Sequence, residues 1–252
     1  MNDRWAISGI VAVGVLGVWS IAVPITWAQA GPVVEVAKFS SATLGQTVPD
    51  GWKPLSFKNI PRHTKYEVVK DGDRVVIKAD SDVSASGLTK EVNIDPREYP
   101  IIRWSWKINN LVQKSDATRK DGDDYPARLY VTFEYDPDKV RLSKKLKFKA
   151  GQIVFGDIPI GAISYVWETK APVSAILDNA YTDFVKMIVV ESGPNNVGLW
   201  VDESRNIYED YKKAFGEEPP MINGVAIMSD TDNTKERATA YYGDIVFLRK
   251  SQ

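Results

Sequence analysis

The chain has 252 residues, a formal net charge of -1, no cysteine and a single histidine. Without cysteine there is no disulfide and no thiolate nucleophile or ligand. A near-neutral balance also argues against a nucleic-acid partner, because phosphate binding needs a clear basic excess.

The N-terminus comes first in chain order. Asp3 and Arg4 precede a stretch from Trp5 to Ala30 without a charged side chain. An apolar centre (Ile10–Trp19), a helix-breaking Pro24 and the Ala28-Gln29-Ala30 ending are the parts of a secretory signal peptide, with cleavage expected before Gly31. The alternative is an inner-membrane anchor through residues 5–27, since a span needs roughly 20 apolar residues. Pro24 and the small side chains at Ala28 and Ala30 favour cleavage. No later stretch is long and apolar enough to span a bilayer, so a periplasmic or secreted chain is expected. Its mature part, residues 31–252, is long enough to bury one large core as a single domain held by packing alone.

Most of that part reads as strands. Tyr66–Lys70 and Arg74–Lys78 flank Asp71-Gly72-Asp73, a hairpin signal because Gly accepts the positive φ of a tight turn. From Ile101 to Ile108, Ile102, Trp104, Trp106 and Ile108 alternate with Arg103, Ser105 and Lys107. From Ala127 to Tyr135, Leu129, Val131 and Phe133 alternate with Arg128, Tyr130, Thr132 and Glu134. Further strands are expected at 163–168, 184–191, 199–201, 222–228 and 239–248. A basic, weakly periodic helix is expected over 138–149. A second is expected over 204–215, with Ser204 as cap, Ile207, Tyr208, Tyr211 and Phe215 on one face, and Gly216 followed by Pro219-Pro220 as its stop. Many short strands without β-α alternation predict an all-β, two-sheet β-sandwich or jelly roll with one or two short helices.

Several of these segments also carry a resemblance. Arg103-Trp104-Ser105-Trp106-Lys107, Gly122-Asp123-Asp124, Ala127–Val131, Tyr165-Val166-Trp167, Asp210-Tyr211, Phe215-Gly216, Gly224–Met228, Asp230–Thr234 and Tyr242–Ile245 together resemble the exported domain-of-unknown-function 3047 family, over roughly residues 35–248. The resemblance implies no catalytic residue, because the family has no assigned chemistry. The ending, an aromatic pair followed by Gly-Asp-Ile, also resembles the last strand of galactose-binding-like and carbohydrate-binding sandwiches.

Candidate chemistry is sparse. His63 stands in a turn after Pro61 with nothing nearby to build a triad or a metal centre. There is no G-x-S-x-G, P-loop or G-x-G-x-x-G. Two acidic loops, Asp121–Asp124 and Asp230–Asn233, offer the oxygens that calcium takes, although neither has EF-hand spacing and Asp and Asn also simply form turns. Asp230, Asp232 and Asp244 are the expected ligands if a structural calcium ion is present. Paired carboxylates for glycoside hydrolysis are unconstrained in a chain with 33 acidic residues. Trp104 and Trp106 belong to the apolar face and hence the core. Trp52, Trp167 and Trp200 fall near loops or strand ends, where rim packing and ligand stacking both fit. If strands 101–108 and 127–135 pair through the long loop between them, Arg103, Lys107, Arg128 and Tyr130 form one basic, aromatic-bearing ligand surface.

These features lead to a non-catalytic binding module for a polysaccharide or another envelope-associated ligand. The alternatives are an acidic-glycan lyase, with Arg, Lys and Tyr supplying cation and base but without a Gln-x-His element, and a structural component of an envelope complex. The first test concerns the leader. Intact-mass analysis of protein recovered from the periplasm should give a chain that starts at Gly31. Recovery of only the full-length chain, in the membrane fraction, would instead identify an anchor.

Overall fold

A computed structural model of the protein describes residues 33–134 and 161–250. The expected signal segment and the expected 138–149 helix lie outside the described residues. Two sheets face each other as a β-sandwich of the jelly-roll kind.

The first sheet is built from β1 (Val33–Ala37), β3 (Lys65–Asp71), β4 (Arg74–Asp82), β6 (Ile101–Ile108), β11 (Val201–Asn206) and β13 (Arg237–Leu248). Its order is β11-β6-β13-β4-β3, with β1 along the far half of β13. The second sheet holds β2 (Lys53–Leu55), β5 (Ala85–Ile94), β7 (Arg128–Phe133), β8 (Ala162–Glu168), β9 (Ile176–Asp178), β10 (Val185–Ser192) and β12 (Ile222–Asp230). Its order is β2-β5-β12-β7-β8-β10-β9, antiparallel except for the β8–β10 pair.

Period-two alternation decides which side chains meet between the sheets. Along β6 the burial switches at every residue, with Ile102, Trp104, Trp106 and Ile108 buried. Trp104 packs 5.1 Å from Tyr165, and Trp106 packs 6.1 Å from Trp167, ring centre to ring centre. Leu129, Val131 and Phe133 of β7 and Val225 and Ile227 of β12 join the same core. The Tyr66–Lys78 hairpin forms as the sequence predicts, with Asp71 opposite Arg74 and Gly72 at φ 60°.

Three expectations are corrected. Strands β6 and β7 do not pair. Both edges of β6 are taken by β11 and β13, and both edges of β7 by β12 and β8. The long connection crosses between the sheets instead of closing a hairpin. Ser204 does not cap the helix either. It belongs to β11, whose ladder with β6 runs to Asn206, and the Asn206 side chain accepts the Glu209 N–H at 3.1 Å. Helix α1 spans Ile207–Phe215 and ends at Gly216 with φ 74°, the left-handed cap. Tyr208 leaves the buried face and bonds Glu218, while Ile207 and Tyr211 pack inward.

The sheets are also tied by a buried belt of hydroxyls at the β4–β5 and β12–β13 crossings. Ser81 Oγ lies 2.8 Å from Thr231 Oγ1 and 3.1 Å from Ser84 Oγ. Tyr66 donates to the Ser86 carbonyl at 2.6 Å, and Tyr242 donates to that of Met228 at 2.6 Å. Each hydroxyl is thereby satisfied without water.

Gly87 of β5 has no room for a side chain. A Cβ there would lie 2.6 Å from the Ile227 carbonyl oxygen, a backbone atom of the neighbouring strand. Gly87→Ala should therefore cost about 1–3 kcal/mol, the range for overpacking. That is a fall in melting temperature of roughly 2–4 °C per kcal/mol for a chain of this size. An unchanged melting curve would show that the β5–β12 ladder yields more easily than its spacing suggests.

Candidate functional site

Two polar constellations stand out, and they occupy different sheets. The first is buried. Arg128 alternates away from the core residues of β7, yet it is only 2% exposed. Its guanidinium meets Asp230 at the end of β12 through Nε (2.8 Å) and Nη2, and Nη2 also donates to the Asp123 carbonyl at 2.6 Å. Nη1 reaches the Tyr130 hydroxyl at 3.3 Å, and the Tyr125 ring lies 4.2 Å below the cation. Burial drives the Asp230 carboxyl well above its ordinary range, against the pull of Arg128. Burial also lowers the preference of Arg128 for its charge more than any single partner restores it, but Asp230, Tyr130 and Asp123 together outweigh it and hold its pKa high. Arg128 is thus a structural cation, and its donors are already committed.

The carboxylates around it settle where the sequence-expected metal ligands go. Asp230 and Asp232 come together, with carboxylate oxygens of Asp124, Asp230 and Asp232 all within 4.8 Å of one another. Asp244 does not join them. It accepts the Ser40 amide at 2.9 Å and the Ser40 hydroxyl at 2.6 Å on the other sheet, because β13 carries it beside the turn after β1. Asp124 spends both oxygens on the 233–234 turn, with the Thr234 amide and hydroxyl each at 2.6 Å and the Asn233 amide at 3.3 Å. Asp230 is occupied by Arg128 and by the Tyr125 amide at 3.2 Å. Burial and then the Asp124 charge raise the Asp232 carboxyl.

The second constellation faces solvent on the first sheet. Lys78, Tyr241 and Lys107 stand opposite one another on β4, β13 and β6. Trp200 precedes Val201, the partner of Trp106, and so extends the row by one position. The Trp200 and Tyr241 rings are 6.4 Å apart, with Lys107 Nζ 4.3 Å from the Tyr241 ring centre and Arg74 Cζ 4.9 Å from that of Trp200. The tip of the β3–β4 hairpin reaches over this row. Asp71 accepts from Lys107 at 2.5 Å and from the Trp200 indole N–H at 2.7 Å. Burial would raise the Asp71 carboxyl, but the Lys107 and Trp200 hydrogen bonds bring it below its ordinary value. Both rings are half-buried, Arg74 is exposed, and Leu199 beside Trp200 is 57% exposed. Cation–π contacts and one shared carboxylate thus fix two aromatic rings at the surface.

The four residues expected to form one surface are therefore split. Arg103 and Lys107 lie on the outer side of the first sheet, Arg128 and Tyr130 on the far side of the second. Only Lys107 enters the aromatic row. Trp52 and Trp167 are buried, Trp52 at 5.2 Å from Phe39 and Trp167 with its N–H on the Gly193 carbonyl at 3.3 Å. Tyr241, Arg74 and Asp71 were not singled out as ligand groups in the sequence. The alternation along 239–248 places Tyr241 outward, but the row needs the strand order.

The sequence of residues 50–246 matches the family described as "Protein of unknown function (DUF3047)". The chain belongs to that family. No curated protein matches it. Among solved structures it is similar to the family 11 carbohydrate-binding module of the cellulosomal cellulase Lic26A-Cel5E of Clostridium thermocellum. There the TM-score is 0.43 and the identity 9%, over 89% of this chain and 98% of that one. It is also similar to the CBM22-1 xylan-binding domain from Paenibacillus barcinonensis Xyn10C, with TM-score 0.36 and 14% identity over 89% and 99%. A cyclase from Fischerella sp. gives 0.38 and 7% over 87% and 98%.

The buried pair gives a sharp test. Asp230→Asn leaves Arg128 desolvated beside a weaker partner, and such a break costs about 3–5 kcal/mol. Asp232→Asn, whose carboxylate holds no buried cation, should stay within about 0.5 kcal/mol of the parent. Urea unfolding measures both, and equal midpoints for the two variants would show that Asp123 alone suffices for Arg128.

Proposed function

We propose that this chain is an exported, non-catalytic binding module, and that it holds a polysaccharide across the outer face of the first sheet. The observation that carries the reading is the half-buried Trp200–Tyr241 pair, pinned by Lys107, Arg74 and Asp71. A pyranose ring presents an apolar C–H face, which covers an aromatic ring well, and a rim of hydroxyls, which needs donors and acceptors close by. Lys107 and Arg74 are donors and Asp71 is an acceptor, all within reach of the same two rings. The rings are also held before any ligand arrives, which lowers the ordering cost of binding. Arg128 and Tyr130 have no part in this reading, since their polar atoms serve the buried pair.

Affinity electrophoresis against a panel of neutral and acidic polysaccharides tests the reading. The parent should be retarded by at least one of them. Trp200→Ala and Tyr241→Ala should each weaken that retention by about 1–2 kcal/mol, roughly five- to thirtyfold, while the melting temperature moves by only a few degrees. Equal retention of parent and both variants would place the ligand elsewhere, and no retention of the parent by any glycan would end the binding-module reading.

A further inference from the structure

Glu203 is a half-buried acid that nothing above employs. It lies on β11 directly opposite Trp104, and its Oε1 has no hydrogen-bond partner among the described residues. The indole N–H groups of Trp104 and Trp106 beside it are also buried without partners. Inward-facing polar atoms left unmet in such number call for an explanation. Among the described residues, strand β11 is moreover the edge of its sheet, bonded along one side only, to β6. It begins one residue after Trp200, a ring of the proposed binding row.

We propose that protonation of Glu203 holds β11 against β6, and that its ionisation loosens this edge strand and with it the Trp200 side of the aromatic row. The inference rests, for its consequence in binding, on the reading of that row as the ligand surface.

The charged surroundings set the direction. Burial raises the Glu203 carboxyl most, and Glu191 of β10 adds like-charge repulsion, so its pKa is pushed up to about 7. Asp202 adds a smaller push in the same direction. Trp106, whose N–H faces Glu203 without reaching full hydrogen-bond geometry, and Arg205 act against them. The one cation among them, Arg205, is already engaged elsewhere. Arg205 is bound to Asp210 through Nε at 2.9 Å and Nη2 at 2.6 Å, and Asp210 in turn accepts the Tyr165 hydroxyl at 2.9 Å. Glu191 accepts from Asn196 at 2.9 Å, in the turn that leads to Trp200.

A folded-state pKa raised above the ordinary 4.5 fixes the sign. The docked strand binds a proton that the opened strand gives up. Docking is therefore favoured fully below about pH 4.5 and loses up to roughly a factor of ten per pH unit until about pH 7, above which it is level. The buried Oε1 of an ionised Glu203 gains water by leaving the interior, and an edge strand with one ladder is the element that yields.

Hydrogen exchange of the 201–206 segment, corrected for the intrinsic pH dependence of exchange, reads this without any ligand. In the parent the opening equilibrium should rise at least tenfold between pH 5 and 7.5. In Glu203→Gln, which mimics the protonated acid, it should stay flat. Glu191→Gln should move the parent's midpoint to lower pH, and it decides the matter if Glu203→Gln fails to fold. A flat profile in the parent, or the same slope in Glu203→Gln, overturns the proposal whatever the glycan panel shows. With a polysaccharide that the parent retains, affinity should fall over the same pH range in the parent and not in Glu203→Gln. If opening follows pH but no glycan binds, the switch stands and the ligand reading fails. If a glycan binds and exchange is flat, the reverse holds.

Discussion

The Arg128–Asp230 pair is the constraint around which the second sheet and its crossings are arranged. A guanidinium at 2% exposure is tolerable only if nearly every N–H finds an acceptor, and here the acceptors come from its own stretch of chain and from one about a hundred residues on. Asp230 ends β12, Asp123 precedes β7, and Tyr130 lies two residues further along β7. The same carboxylate accepts the Tyr125 amide, so the crossing segment is fixed to the end of β12. Asp124, one residue away, binds the amides of the turn that sends the chain from β12 into β13. The connection between sheets, the start of β7 and the start of β13 thus share one polar node. The apolar core supplies the driving force for folding, while this node selects which strands lie next to which.

Much of the fold is legible in the sequence because alternation is a local property. Strand β6 shows it, with four apolar residues inward and three polar outward, and the hairpin at Gly72 is written in its turn residues. The strand pairing is not local. Nothing in residues 101–135 says that β6 and β7 take other neighbours, since the same alternation suits a hairpin and a crossing equally. Strand β11 is hidden for a related reason. Val201–Asn206 is polar at most positions, as an edge strand can be, and Ser204 makes a plausible cap until the ladder with β6 carries the extended chain to Asn206.

The site residues divide along the same line. Arg128 and Arg103 look alike in sequence, each a cation in an alternating strand, yet one is buried and ion-paired while the other remains near solvent. What separates them is a carboxylate about one hundred residues away, which meets Arg128 only after β12 pairs with β7. Asp232 keeps its expected neighbour Asp230, but Asp124 takes the place given to Asp244. Two acidic loops that look independent in sequence are packed against each other by the crossings. Trp200 could be noted as a ring near a strand end. Its grouping with Tyr241, Lys107 and Asp71 could not, because these come from three further segments.

The location of the aromatic row follows from the same packing logic. Rings on a central strand's inner face are consumed by the core, as Trp104 and Trp106 are, so rings available to a ligand must stand on an outer face or at an edge. An outer-face ring on a flat sheet would be free to turn, and a turning ring loses entropy when a ligand fixes it. Here the tip of the β3–β4 hairpin supplies the missing restraint through Asp71, which holds Lys107 and Trp200 with one carboxylate. Placing Trp200 beside an edge strand has its own consequence, because among the described residues the strand that positions it has a ladder on one side only. A binding surface built there inherits whatever governs the docking of that strand, and the acid packed beneath it, Glu203, carries a charge that its half-buried place disfavours.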